Sequence, residues 1–101
     1  MNITQPKRND LSPWGRIDSD NVIADGIVFV NTPSHGGMWI SQSRRDAMPE
    51  PFRSPETFAG GNWFEEDCDA TRVVLSFPDL FKPEQVSWAK AVLFGKYKGI
   101  A

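Results

Sequence analysis

The only histidine of the chain, His35, lies in Thr32-Pro33-Ser34-His35-Gly36-Gly37, directly after the apolar run of residues 27–31, IVFVN. Imidazole is the side chain that titrates nearest neutral pH, so it suits acid–base work. Pro33 fixes φ, and Gly36 and Gly37 permit backbone conformations that side chains forbid. Such a turn can aim Ser34, His35 and free amides at one point, which suits a phosphate or carboxylate. The spacing is not that of a phosphate-binding loop, which needs a longer glycine interval and a lysine. The same residues also make an ordinary hairpin turn with a surface histidine.

A second stretch is Glu65-Glu66-Asp67-Cys68-Asp69. Four acids in five residues exceed what capping a helix requires, although acids are stabilised at a helix start. On a helix, Glu65 and Asp69 share a face and Glu66 points elsewhere. Glu65 or Glu66 with His35 would make an acid–base pair. Glu65, Asp69 and His35 together would offer oxygens and a nitrogen to a divalent cation, but the order and spacing match no standard metal motif. No metal and no cofactor is therefore expected. Cys68 is flanked by Asp67 and Asp69, which disfavour a thiolate. It also falls on the apolar stripe of the expected helix, so burial is its expected state. Ser34 and His35 are adjacent and point apart, which does not make a nucleophile–base pair.

Four tryptophans are many for 101 residues. Trp14, Trp39 and Trp63 each stand beside a turn or a glycine, and Trp88 lies on the last expected helix as a core or interface residue. If the first three converge, they wall a pocket whose polar side is His35 with Glu65 or Glu66. Arg44 and Arg45 follow the histidine turn and offer cations to an anionic ligand or to the acidic surface. The candidate binding set is thus Trp14, Ser34, His35, Gly36, Gly37, Trp39, Arg44, Arg45, Trp63, Glu65, Glu66 and Asp67.

Elements must hold these groups in place. Residues 1–12 are polar, without periodicity, and read as a flexible arm; residues 13–101 read as a single domain. PWGRI, VIA, IVFVN and MWI read as short strands, with Asp25-Gly26 as a hairpin turn. SQSRRDAM reads as a short helix capped by Ser41 or Ser43 and stopped by Pro49. Residues 49–61 read as a long irregular loop anchored by Phe52 and Phe58. Asn62 with Glu65 fits a capping box, so residues 62–77 read as a helix burying Phe64, Cys68, Thr71, Val74 and Leu75. Pro83 opens a last helix burying Val86, Ala89, Leu93 and Tyr97, with Gly95 and Gly99 at its end. The expected fold is α+β: a three- to four-stranded antiparallel sheet in the N-terminal half, packed against two to three helices in the C-terminal half.

Composition narrows the function classes. Net charge is −2, hydrophobic residues are 40% and charged residues 24% of the chain. Acids concentrate in the middle and both ends are mildly basic, which argues against a basic nucleic-acid-binding face. No run approaches the ~20 apolar residues that span a membrane. One cysteine cannot form an internal disulfide, and no secretory signal opens the chain, so a cytoplasmic location is expected.

PWG at 13–15, TPSHGG at 32–37, WFEEDCD at 63–69 and FPDLF at 77–81 resemble a family of small proteins carried by bacteriophages, prophages and plasmids. The resemblance spans roughly residues 13–82; Ala70 stands where relatives often carry tryptophan. It implies a mobile-element accessory protein in the bacterial cytoplasm that binds a host protein or a small ligand and antagonises a host defence system. The turn at 32–37, the start of WFEEDCD and the loop at 52–58 would form its contact face. Two other readings stand beside it. One is a small hydrolase-like or metal-dependent enzyme using His35 with Glu65 or Glu66. The other is an acidic mimic of nucleic acid, which the small net charge weakens. The expected partner is a host protein or a small anionic ligand, with no direct nucleic-acid or membrane contact; a homodimer is compatible with the sequence.

Overall fold

In a computed structural model, which describes the backbone of residues 5–97 and the side chains of residues 5–93, IVFVN forms strand β4 (Ile27–Asn31). Its side chains alternate between two faces. Val28 and Val30 point one way, Ile27 and Phe29 the other, and both faces are covered. That is why this strand is apolar throughout rather than alternating with polar residues.

Four strands form an antiparallel sheet in the order β3 (Ser19–Ala24), β4, β5 (Gly36–Ile40), β6 (Trp63–Glu65). The turn between β3 and β4 is Asp25-Gly26, as the sequence indicates, and Gly26 takes a φ of 82°. A side chain there would also strike Ser41 Oγ at 2.6 Å. A separate hairpin, β1 (Leu11–Ser12) and β2 (Gly15–Arg16), lies apart from the main sheet, so PWGRI is not one of its strands. Residues 5–12 contribute buried Pro6, and the Arg8 amide donates to Asp20 Oδ1 at 2.9 Å.

Helices follow on the other sheet face. Helix α1 (Gln42–Asp46) is capped by Ser41, whose Oγ accepts the Arg44 amide at 3.2 Å. Helix α2 (Glu50–Arg53) breaks the stretch expected to be irregular, with a proline in its first turn, where no N–H is required. Helix α3 (Ala70–Ser76) and helix α4 (Pro83–Tyr97) pack together, joined through a 3-10 turn at Pro78–Leu80. α4 runs through Gly95; the expected burial of Tyr97 and the break at Gly99 lie outside the described side chains and residues.

The fold is α+β, with strands mostly first and helices mostly after. Its principal core joins Ile27, Met38, Ile40 and Phe64 of the sheet to Met48, Ala70, Val73, Val74 and Ala89. Phe64 is fully buried there. Truncating such a ring typically costs about 3–5 kcal/mol.

One expected helix start is corrected. Residues 63–65 are strand β6, paired to β5 through Gly37↔Glu65, Met38↔Phe64 and Trp39↔Trp63. Gly60 and Gly61, with φ of 91° and 58°, turn the chain before it. Asn62 therefore caps no helix; its amide donates to Gln42 Oε1 at 3.3 Å. Glu65 instead caps a turn, accepting the amides of Asp67 at 2.7 Å and Cys68 at 3.3 Å. The helix begins only at Ala70, which moves Cys68 off the apolar stripe and leaves it exposed rather than buried.

Candidate functional site

The two segments singled out by their chemistry do meet. β5 begins at Gly36 and runs beside β6, and the Glu66 amide donates to Gly36 O at 3.1 Å. Before β5 comes a four-residue turn closed by Thr32. Its amide and hydroxyl both donate to His35 O, at 2.8 and 2.7 Å, and its Oγ1 accepts the His35 amide at 3.1 Å. The His35 amide is thus committed to the turn instead of facing a ligand. The imidazole is exposed, and among the described residues it makes no hydrogen bond or ion pair. Ser34 Oγ donates to Trp14 O at 3.3 Å.

Trp14, Trp39 and Trp63 converge on the sheet face away from the helices. Trp14 and Trp63 pack edge to face, with centroids 5.7 Å apart and planes at 89°. Trp39 sits opposite Trp63 in the β5–β6 ladder and is buried with Ile17, Val28 and Val30. Gly37 makes this packing feasible: a Cβ there would overlap the Trp14 ring and come within 2.6 Å of Phe64 O. The rings mainly build a second small core under the N-terminal hairpin. An open groove of about 670 Å³ runs along Trp39 and Trp63, with Pro6, Leu11, Gln42 and Asn62 beside it.

Arg44 and Arg45 are not part of the histidine turn. They follow the Ile40 end of β5, whereas His35 precedes its Gly36 end. Four residue steps of a strand separate those ends, roughly 13 Å. Arg44 Nε donates to Asp25 O at 2.9 Å. The Arg45 guanidinium donates to Gly61 O, to Arg53 O at 2.9 Å and to Asn62 Oδ1 at 3.3 Å. Both guanidiniums hold backbone together.

The acids divide as well. Glu65 is taken up by its turn, Asp67 is exposed, and Asp69 is buried with its carboxylate engaged by Arg72 and the Phe58 amide. Glu66 reaches the helix side of the sheet, where a Cβ on Gly36 would lie 2.5 Å from its Oε2. Among the described residues no group of three or more His, Cys, Asp or Glu side chains is arranged to hold a metal ion.

A buried ion pair was not apparent in the sequence. Asp69 Oδ1 lies 3.3 Å from Arg72 Nη1, and both side chains are about nine-tenths buried. Asp69 Oδ2 accepts the Phe58 amide at 2.7 Å. Arg72 donates to Phe52 O at 2.8 Å and also to Pro55 O, and its guanidinium stands 5.1 Å from the Phe64 ring centroid. Arg45 reaches the same loop at Arg53 O and Pro55 O. Two arginines and one aspartate thus pin residues 52–58 by their main chain. Phe52 packs on the core as expected, but Phe58 does not anchor the loop: it is 89% exposed. A run of residues joined through carbonyls leaves no side-chain signature, which is why this network escapes a reading by motif.

Comparison with known proteins gives a family. Residues 7–97 match DUF7007, a domain of unknown function, and the chain belongs to that family. Neither the curated proteins nor the solved structures contain a match to it. Among the described residues, no helix is long and apolar enough to cross a membrane.

Proposed function

We propose that this domain is a non-catalytic binding protein of a mobile genetic element, that it acts in the bacterial cytoplasm on a host protein, and that the contact antagonises a host defence. One observation carries the binding reading: a phenylalanine 89% exposed on a loop whose backbone is fixed by a buried ion pair. Single exposed apolar residues are common and need no explanation. A pinned one is different: a buried ion pair is a weak source of net stability, and in some proteins it serves to specify a geometry. Holding an aromatic side chain ready removes ordering cost on association. Aromatic anchors of this kind dominate the energetics of protein interfaces. The setting in a mobile element, and with it the defence role, rests on the sequence resemblance at TPSHGG and WFEEDCD.

The test is a photo-crosslinking amino acid at position 58, expressed in a bacterial host, beside affinity capture with the wild type and Phe58→Ala. The reading expects one host protein to be crosslinked and its capture to fall on Phe58→Ala. Equal capture by the two forms, or crosslinking no different from an exposed control position, overturns it.

A further inference from the structure

Strand β3 is an edge of the sheet, and α4 lies over the sheet beside it. Between them is a slot of about 230 Å³. Its walls are apolar: Ile23, Phe29, Met38, Val74 and Phe81, closed by Trp88, which is 42% exposed. Its polar groups are Glu66, Asn21 and Gln85, and Glu66 is the one charged residue lining it. The adjoining open groove adds Asp79 and Lys82, one of each sign, so Glu66 sets the local charge.

The carboxylate lies in space that a side chain on Gly36 would take. Gly36 shares the helix-facing side of β5 with Met38, and a Cβ on it would meet Glu66 Oε2 at 2.5 Å, Val30 O at 2.9 Å and Asn31 Oδ1 at 3.2 Å. Two side-chain acceptor oxygens and one backbone carbonyl therefore approach the same point. The Asn31 amide nitrogen is turned away to Ser19 Oγ at 3.3 Å, which leaves its oxygen as an acceptor. No side chain among the described residues donates a hydrogen bond or an ion pair to the Glu66 carboxylate.

We infer that this slot binds an organic cation on an apolar stem, an ammonium or guanidinium whose charge meets Glu66 while its stem lies between the sheet and Trp88. A carboxylate complements the charge and supplies acceptors to a donor-rich head group. An indole beside it adds attraction for a cation. Apolar walls take the stem. The volume is below the range typical of pockets for drug-sized ligands, which favours a single side chain or a small amine over a nucleotide. This inference concerns other side chains than the Phe58 loop and stands or falls separately from it.

The experiment titrates the intact protein with phenethylammonium, following the Trp88 indole N–H and the Met38 methyl by NMR, with the Trp88 indole assigned through Trp88→Phe. Parallel titrations use neutral 2-phenylethanol and anionic 3-phenylpropanoate. Saturable shifts are expected for the ammonium with a Kd of roughly 1 mM. Binding about fivefold weaker is expected for the alcohol, and for the ammonium on Glu66→Gln, as befits a partly exposed ion pair. If Glu66→Gln does not fold, the three ligands on the wild type still decide the matter. Blocked lysine and arginine amides form a further arm: tighter binding than the arylamine assigns the cation to a partner's side chain, weaker binding to a free amine. No saturable shift for any cation, or equal affinity for cation and alcohol, overturns the inference.

Discussion

Asp69 and Phe58 are eleven residues apart in sequence, yet the carboxylate of one receives the amide of the other at 2.7 Å. The second oxygen of the same carboxylate faces Arg72. A single buried acid thus links the start of α3 to the loop that displays an exposed aromatic ring. Asp69→Asn keeps the shape and some hydrogen bonding but removes the charge opposite Arg72. The expected loss is about 2 kcal/mol, less than for deleting one partner of a buried pair outright. Urea unfolding would measure it, and amide exchange at Phe58 should accelerate more than in the sheet. Unchanged midpoint and exchange would show that the loop is held by other contacts.

Cys68 lies one residue from that buried acid and is itself exposed. Native protein should therefore react stoichiometrically with a neutral maleimide without unfolding. Asp67 beside it, also exposed, should slow an anionic disulfide reagent relative to the neutral one, and added salt should narrow the difference. Cys68→Ser is expected to alter stability by no more than about 0.5 kcal/mol, as for most surface positions. A thiol that reacts only in denaturant would contradict the placement of α3.

These two neighbours show where the sequence was legible and where it was not. Local signals read well: the Asp25-Gly26 hairpin, the Ser41 cap and the apolar strand IVFVN depend on residues close in the chain. Asn62 and Glu65 misled because a capping pattern acts only if the backbone between them is helical. Here β5 offers β6 a ladder, and tertiary pairing outweighs a local preference. The misplacement of Cys68 follows from that start. Three rings, each beside a turn or a glycine, raised the convergence of Trp14, Trp39 and Trp63 as a condition. That they would mainly fill a second core was not legible, since this depends on the N-terminal hairpin folding across the sheet. The arginine network was hidden because its acceptors are main-chain carbonyls.

Gly37 is the point where that second core is most constrained. Its missing Cβ leaves space for the Trp14 ring on one side and lies close to Phe64 O. Gly37→Ala must push back a ring that is itself wedged against Trp63, and a backbone oxygen that cannot move without breaking the ladder. Overpacking of this kind typically costs about 1–3 kcal/mol. The drop should appear in thermal unfolding, together with a change in the near-ultraviolet circular dichroism of the packed tryptophans. Gly15→Ala is the control: no atom lies within 4 Å of a Cβ there, but its φ of 117° penalises a side chain by strain alone. A loss confined to Gly15→Ala would mean that the Trp14 ring yields freely.

Arg45 offers a sharper test of how the 52–62 region is held. Its guanidinium donates to the carbonyls of Arg53, Pro55 and Gly61 and to the Asn62 side chain, and stands 5.3 Å from the Phe64 ring centroid. A lysine keeps the charge but presents a compact head on a flexible stem, so it cannot span carbonyls on both sides of the loop. Arg45→Lys should therefore lose about 1–2 kcal/mol, because carbonyls are left without their donor while the charge is unchanged. Arg44→Lys gives the contrast: among the described residues the Arg44 guanidinium donates one hydrogen bond, to Asp25 O, and stands 5.2 Å from the Phe77 ring centroid, so it should lose less. Amide exchange should then separate loosening at residues 53–62 in the first variant from loosening near Asp25 in the second. No loss in Arg45→Lys would show that charge rather than the planar fork holds the loop.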